Sequence, residues 1–381
     1  MKTVRLSDIA LIQSGGTPKR SNSLYWENGN IPWVKIGDIK SKYLKECEEF
    51  ITVEGLKNSS AKIFNKGSIL YTIFATLGEV AILDMDAATN QAIAGITVQD
   101  KRVNVEYLYY YLKSIKHDVN NLGRGVAQNN INLSILKNLS IPIRSDCEQI
   151  KIVNCLNFVT KIIEQKNRQL NLLDELVKSR FVEMFGGIHN SSLYPYVTIE
   201  CFTTVISGGT PNRGISEYWQ DGRIRWVKST ELHNCVITDT EEKITQLGMS
   251  NSSAKLIPAD SVLIAMYGQG KTRGMTGYLA VTCTTNQACA CILPSPTVNQ
   301  KYLWQYMILS YDKLRNMAKG GNQPNLNVGI IKKFPVLMPP LELQEQFAAF
   351  VSQIDKSRLA IQKSLDEAQL LFDSLMQKYF G

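Results

Sequence analysis

One stretch of the chain occurs twice. Residues 14–35 read SGGTPKRSNSLYWENGNIPWVK and residues 207–228 read SGGTPNRGISEYWQDGRIRWVK, with 14 of 22 positions identical at an offset of 207 − 14 = 193. That offset is about half of the 381 residues, so the repeat is a duplicated domain and not a short solenoid unit. The offset persists from Asn58–Lys62 to Asn251–Lys255. It becomes 196 between Asn90-Gln91-Ala92 and Asn286-Gln287-Ala288, and 195 between Gln128–Asn132 and Gln323–Asn327. The second copy therefore gains three residues ahead of Asn286. Any fold must hold two similar units.

The composition is that of a core-forming chain, 44% hydrophobic and 20% charged. No apolar run is long enough to cross a bilayer, and Met1–Arg5 leads into mixed polar sequence without a signal-peptide core. The expected location is cytoplasmic, with no membrane partner. Eight cysteines form no CxxC pair; the nearest spacing, Cys289-Ala290-Cys291, sits in an apolar strand-like run and reads as buried thiols. His117, His189 and His233 have neither triad nor metal spacing. A net charge of +8 and a pI near 8.9 favour a polyanionic partner without requiring one.

The hydrophobic period separates four regions. Residues 1–145 and 187–340 read as mixed α/β units. In the first, Ile31–Ile36, Ser68–Ile73, Glu79–Leu83 and Ala92–Val98 have strand character, the second and third forming a hairpin. Glu106–Ile115 is helical, with Tyr107, Leu108, Tyr111 and Leu112 as a core stripe. Gly123–Asn132 is a loop. Residues 146–186 and 341–381 read as long helices. Cys147–Phe185 contains neither Gly nor Pro, and its apolar positions Ile152, Leu156, Val159, Ile163, Leu170, Leu173 and Val177 form a heptad seam. The second helix carries Leu343, Phe347, Phe350, Ile354, Ile361, Leu365, Ala368, Phe372, Leu375 and Tyr379. Long amphipathic helices need a partner for their stripe. The expectation is an α+β chain whose two similar units are separated by an antiparallel coiled coil, related by a pseudo-twofold axis.

Catalytic motifs such as GxGxxG, GxSxG and HExxH are missing. Ala265–Thr272 imitates the end of a phosphate-binding loop, but Ala265 replaces its first glycine and the residues that follow do not suit a helix. What remains suits contact with a polymer. Lys19, Arg20, Arg213, Arg223, Arg225, Lys271 and Arg273 lie near glycines, where backbone can approach phosphate. Arg124 accompanies Gln128 and Asn130, and Lys319 accompanies Gln323 and Asn325; these side chains have the donor and acceptor patterns that grip bases. Thr17, Thr210, Asn90, Gln91, Lys35 and Lys228 complete the candidate DNA-contacting set. Each has a plainer alternative: Asn and Gln satisfy turn backbone, Trp26, Trp33, Trp219 and Trp226 fill core, and Lys35 and Lys228 are solvated.

The Ser-Gly-Gly-Thr-Pro turn, Tyr25-Trp26, Ile31–Lys35, Thr89-Asn90-Gln91 and Gln128–Ile131, followed by a long helix and repeated in order, resemble the specificity subunit of Type I restriction-modification enzymes. The second helix is introduced by Met338-Pro339-Pro340; the first lacks that double proline. The resemblance covers essentially the whole chain. It implies that 1–145 and 187–340 are target recognition domains, each reading half of a bipartite double-stranded DNA site. It implies that the helices set the spacer and dock two copies of a methyltransferase (modification) subunit. S-adenosylmethionine then belongs to that partner, with no cofactor in this chain, and an ATP-dependent restriction subunit can join. The chain itself is expected to be non-catalytic. Positions where the units differ, Asn28 against Asp221, Lys19 against Asn212, Asn30 against Arg223 and the insertion near Arg273, are expected to carry the sequence preference. Two other readings remain open: a coiled-coil scaffold that never touches DNA, and a nicking or methylating enzyme with an unrecognised site.

Overall fold

A computed structural model describes residues 2–116, 119, 131–268, 270–318 and 325–381. The chain divides into two compact units. The first comprises Met1–Asn167 with Lys363–Gly381, and the second Arg168–Gln362. Each long helix therefore contributes one stretch to each unit.

In the first unit a five-stranded sheet runs in the order Ala10–Ser14, Ile93–Val98, Ile69–Thr72, Val80–Leu83, Tyr43–Leu44. Ile69–Thr72 and Val80–Leu83 pair antiparallel, as the hairpin reading requires, and all eight residues are buried. A four-stranded sheet orders Glu49–Ile51, Ile31–Val34, Ala87–Thr89, Ile63–Phe64. Ser140–Ile143 is extended around Pro142 and pairs with Lys2–Arg5.

The helix Val105–Ser114 lies inside one core with Ile82 of the sheet and with Leu156 and Phe372 of the long helices. The stripe read from the sequence is correct for Tyr107, Leu108 and Leu112, but Tyr109 and Tyr110 are buried as well and Tyr111 is only half-buried. A helix covered on two faces cannot show a one-sided period. The tyrosines of this core are anchored by their hydroxyls: Tyr107 donates to the Pro142 carbonyl at 2.8 Å and Tyr110 to Asn157 Oδ1 at 2.7 Å.

The second unit repeats this plan. Its five-stranded sheet orders Val205–Ser207, Cys289–Ile292, Val262–Ala265, Thr276–Leu279, Cys235–Ile237. A three-stranded sheet orders Glu242–Ile244, Ile224–Val227, Thr284–Thr285, and an isolated bridge from Ile257 to Cys283 stands where the first unit has its fourth strand. Thr276–Leu279 being a strand removes the phosphate-loop imitation, because no helix N-terminus follows Lys271-Thr272. Cys283, Cys289 and Cys291 are buried; burial pushes the thiols up, Cys283 and Cys291 to about 12. Among the described residues no cluster of His, Cys, Asp and Glu is arranged to hold a metal.

The long helices are Asp146–Phe185 and Leu341–Phe380, 40 residues each, which at 1.5 Å per residue gives about 60 Å. Gly186, at φ +76°, ends the first as the sequence indicates. A buried glutamine sits in the first turn of each. Gln149 Oε1 accepts from the Asn104 N–H at 2.9 Å, while its Nε2 donates to the carbonyls of Arg102 at 2.8 Å and Arg144 at 2.9 Å. Gln344 repeats this with the Asn299 N–H at 2.9 Å and the Pro339 carbonyl at 2.8 Å. Both helix starts are locked onto their units although only the second has a double proline before it.

Within the second unit the helices pair antiparallel. Arg358 meets Asp174 at 2.7 Å, and the rings of Phe181 and Phe347 are 5.4 Å apart, so one residue number rises as the other falls. Val177, Phe181, Phe185, Phe347 and Val351 are buried there, with Phe350 and Ile354 packed beside them. Within the first unit, Ile152, Leu156 and Val159 join Phe372 and Met376, with Ile163 and Leu375 alongside. Leu170, Leu173, Ile361 and Leu365 stay half-buried and outside both cores. Burial thus concentrates where a globular unit also covers the helices. Among the described residues no helix is long and apolar enough to cross a membrane.

Candidate nucleic-acid interface

The repeated motifs converge on one clasp in each unit. The Gly16 N–H donates to the Thr89 carbonyl at 2.9 Å, and the buried Trp33 indole donates to the Gly16 carbonyl at 3.0 Å. A side chain at Gly15 would meet Thr89 and Asn90, and one at Gly16 would meet Ser60 and Ala61, all at 2.1–2.5 Å. The second unit repeats each contact: Gly209 with Thr285 at 2.8 Å, Trp226 with Gly209 at 2.9 Å, and Gly208 and Gly209 pressed on Thr285 and Ser253-Ala254. Paired glycines are needed here for close approach, not for a special φ.

Eight of the candidate DNA contacts among the described residues belong to this clasp. The Thr17 hydroxyl donates to Gln91 Oε1, as Thr210 does to Gln287. Asn90 Oδ1 accepts the Ala92 N–H at 3.1 Å, the turn-satisfying role. Arg20 stacks over Trp26 and Trp33, its guanidinium carbon 3.8 and 4.7 Å from the ring centres, and bridges to Glu49 at 2.5 Å. Arg213 repeats this over Trp219 and Trp226 at 3.8 and 4.8 Å and bridges to Glu242. Lys35 lies 2.8 Å from Glu49 and 3.1 Å from Glu48, and Lys228 2.6 Å from Glu241 and 3.1 Å from Glu242. Glu49 and then Glu48 hold the Lys35 ammonium above its ordinary value; Glu241 and then Glu242 do so for Lys228. A cation already matched by carboxylates releases fewer counterions on meeting phosphate. Thr17, Arg20, Asn90, Gln91, Thr210 and Arg213 thus each hold a contact within the clasp, and Lys35 and Lys228 are ion-paired there instead of simply solvated. Their signal in the sequence is that Glu48-Glu49 recurs as Glu241-Glu242, again 193 apart.

Lys19, Arg223 and Lys271 are exposed. Lys271 and Arg273 stand on the inserted loop, which is fastened by their carbonyls: Tyr311 donates to that of Lys271 and Arg315 to that of Arg273, both at 2.7 Å. Asn325 is half-buried next to Leu326, whose N–H bonds the Met266 carbonyl at 3.1 Å. Arg124, Gln128, Asn130, Lys319 and Gln323 lie outside the described residues. Asn28 and Asp221 both adopt φ 56°, a left-handed turn that Asn and Asp each tolerate. Their difference is conformationally silent.

The first unit also contains a polar cluster that the sequence reading missed. Lys42 reaches Glu106 and Asn157, and Tyr43 donates to Glu106 at 2.8 Å. Burial pulls the Lys42 ammonium below its ordinary value, with Glu106 opposing. The cluster lies beside an open cleft of about 810 Å³ between Asp38–Glu48 and the long-helix residues Asn157, Thr160, Lys161 and Glu164.

The family described as the Type I restriction modification DNA specificity domain matches residues 1–174 and again 194–369. The chain belongs to that family. It is thus a Type I restriction-modification specificity subunit, a chain for DNA target recognition. The MjaIX specificity subunit of Methanocaldococcus jannaschii is 26% identical over 98% of this chain and 91% of its own length. The EcoR124I/EcoR124II specificity subunit of Escherichia coli is 22% identical, covering 88% and 89%. The crystal structure of a Type I restriction-modification S subunit from M. genitalium shares the fold, with a TM-score of 0.58 at 15% identity over 100% of this chain and 96% of that one.

Proposed function

We propose that each globular unit of this specificity subunit reads one half of a bipartite site on duplex DNA. The paired long helices set the gap between the halves and dock two copies of a methyltransferase subunit. That partner supplies S-adenosylmethionine and methylates adenine; an ATP-dependent restriction subunit joins the same assembly. The chain itself contributes recognition and no catalytic group. The observation that carries this reading is that both 40-residue helices are shared between two units of one plan. Such sharing suits a ruler between two readers. The clasp supplies the common scaffold, and preference then resides where the units diverge. Those positions are Lys19 against Asn212, Asn30 against Arg223, and the loop bearing Lys271 and Arg273.

The test is an exchange. Residues 1–145 are replaced by the equivalent region of another specificity subunit, the complex is assembled with its modification subunit, and methylated adenines are mapped. One half of the recognised sequence should change while the other half and the gap persist. Change in both halves refutes the division of labour. Duplex affinity that does not fall with added salt would favour a scaffold that never reads DNA.

A further inference from the structure

Three exposed apolar positions among the described residues repeat between the units at the 193 offset: Tyr43 with Val236, Ile63 with Leu256, and Phe74 with Tyr267. Among the described residues only the third pair is aromatic in both copies and stands on a loop. Phe74 is 38% exposed and Tyr267 is 41% exposed, while the residues just before them, Ile73 and Met266, are 2% exposed. The rings are therefore the first side chains to leave the core.

The backbone holds them there. The Ile73 N–H donates to the Ala92 carbonyl at 2.9 Å, and the Ile73 carbonyl accepts from Ile131 at 3.1 Å. The Met266 N–H donates to the Ala288 carbonyl at 2.8 Å, and its carbonyl accepts from Leu326 at 3.1 Å. The residue carrying each aromatic outward is pinned on both sides. Beyond the ring the chain turns through the left-handed region, at φ 60° for Ala75 and φ 141° for Gly268. Ala75 is a non-glycine residue held at positive φ, a conformation that persists only when its surroundings impose it. The remainder of the loop differs in length by three residues and in composition. What both copies retain is an aromatic ring on a fixed stalk, and in the second copy the exposed Lys271 lies on the same loop.

We propose that Phe74 and Tyr267 are base-contacting residues, one for each half-site, which meet the apolar surface of a base while basic side chains position the backbone. The assignment rests on the DNA-reading role proposed above. An aromatic ring has few rotors to fix and presents a large apolar face, which suits it to a base face or a thymine methyl. Phe74 offers no hydrogen bond; Tyr267 adds a hydroxyl that can reach a base edge or a phosphate. The two half-sites then receive the same apolar contact with different polar endings.

The experiment uses the complete chain assembled with its modification subunit, a duplex bearing the methylated sequence, and a scrambled duplex. Phe74→Ala and Tyr267→Ala should each weaken cognate binding by about 5- to 150-fold. Scrambled-duplex affinity, salt slope and thermal midpoint should stay unchanged. Methylation mapping should find Phe74→Ala relaxed in one half-site and Tyr267→Ala in the other. Cognate affinity unchanged within about twofold, a change too small to represent one base contact, overturns the assignment. So does a parallel fall for both duplexes, which assigns the rings to the fold or to phosphate. A wild-type complex with no preference for the cognate duplex defeats the DNA-reading role itself, whereas a preference that survives both substitutions defeats only this proposal.

Discussion

Replacing Gln149 with Leu tests how the first unit is fastened to its long helix. The side chain is fully buried and serves three backbone groups: the Asn104 N–H and the carbonyls of Arg102 and Arg144. Leucine fills similar volume and serves none of them. Arg102 is exposed, so water can reach its carbonyl; the other two groups lose their partner in half-buried surroundings. At about 1–3 kcal/mol for each orphaned group, the substitution should cost about 2–6 kcal/mol. For a unit of between about 150 and 250 residues each kcal/mol lowers the midpoint by about 2–4 °C, so a fall of about 10 °C is expected. Calorimetry reads the midpoint, and hydrogen exchange reads the Asn104 amide, which should lose protection before the amides of Val105–Ser114. Gln344→Leu should do the same to the second unit through Asn299. A midpoint close to wild type with the Asn104 amide still protected would refute the claim that this glutamine is the fastening.

Arg213→Ala should destabilise the second unit by about 1–2 kcal/mol through loss of the Trp219 stacking and the Glu242 bridge, leaving the salt slope of DNA binding unchanged; a slope smaller by about 1 would instead make Arg213 a phosphate contact. Phe181→Ala, which empties the space between Phe185, Tyr302, Tyr306 and Phe347, should cost about 3–5 kcal/mol in denaturant unfolding. Burial, with Lys313 adding to it, pushes the His189 imidazole down to about 4. The folded unit keeps the neutral ring while the unfolded chain binds a proton from about pH 6.5. The stabilisation is therefore complete above about pH 6.5 and is lost as pH falls toward 4. Thermal midpoints across that window should slope for wild type and flatten for His189→Gln.

The duplication, the strands and both long helices are legible in the sequence, because periodicity and the absence of Gly and Pro over Cys147–Phe185 leave few alternatives. The depth of burial is not. Phe181 and Phe185 fall outside the heptad seam drawn through Val177, yet they are the most buried rings of that helix, since a globular unit covers them from a second side. In the candidate site, repetition by itself does not separate binding residues from folding residues, for a related reason. Thr17, Arg20, Lys35 and Gln91 repeat faithfully because a shared clasp demands it, and duplication preserves a folding contact as well as a binding one. Reading the acidic pair Glu48-Glu49 together with Lys35 would separate the two cases. Phe74 and Tyr267 escape a motif search because the feature that distinguishes them, exposure on a pinned loop, is geometric.

The way the units share the helices has a consequence for biosynthesis. The second unit is one continuous span, Arg168–Gln362, whereas the first closes only with Lys363–Gly381. A ribosome translating this chain therefore makes every residue of the later unit before it makes Phe372 and Met376, which join Tyr107 and Leu156 in the earlier one. Until those last side chains emerge, the nascent first unit presents uncovered apolar surface. A stop codon just after Gln362 should leave the second unit native and the first dependent on chaperones.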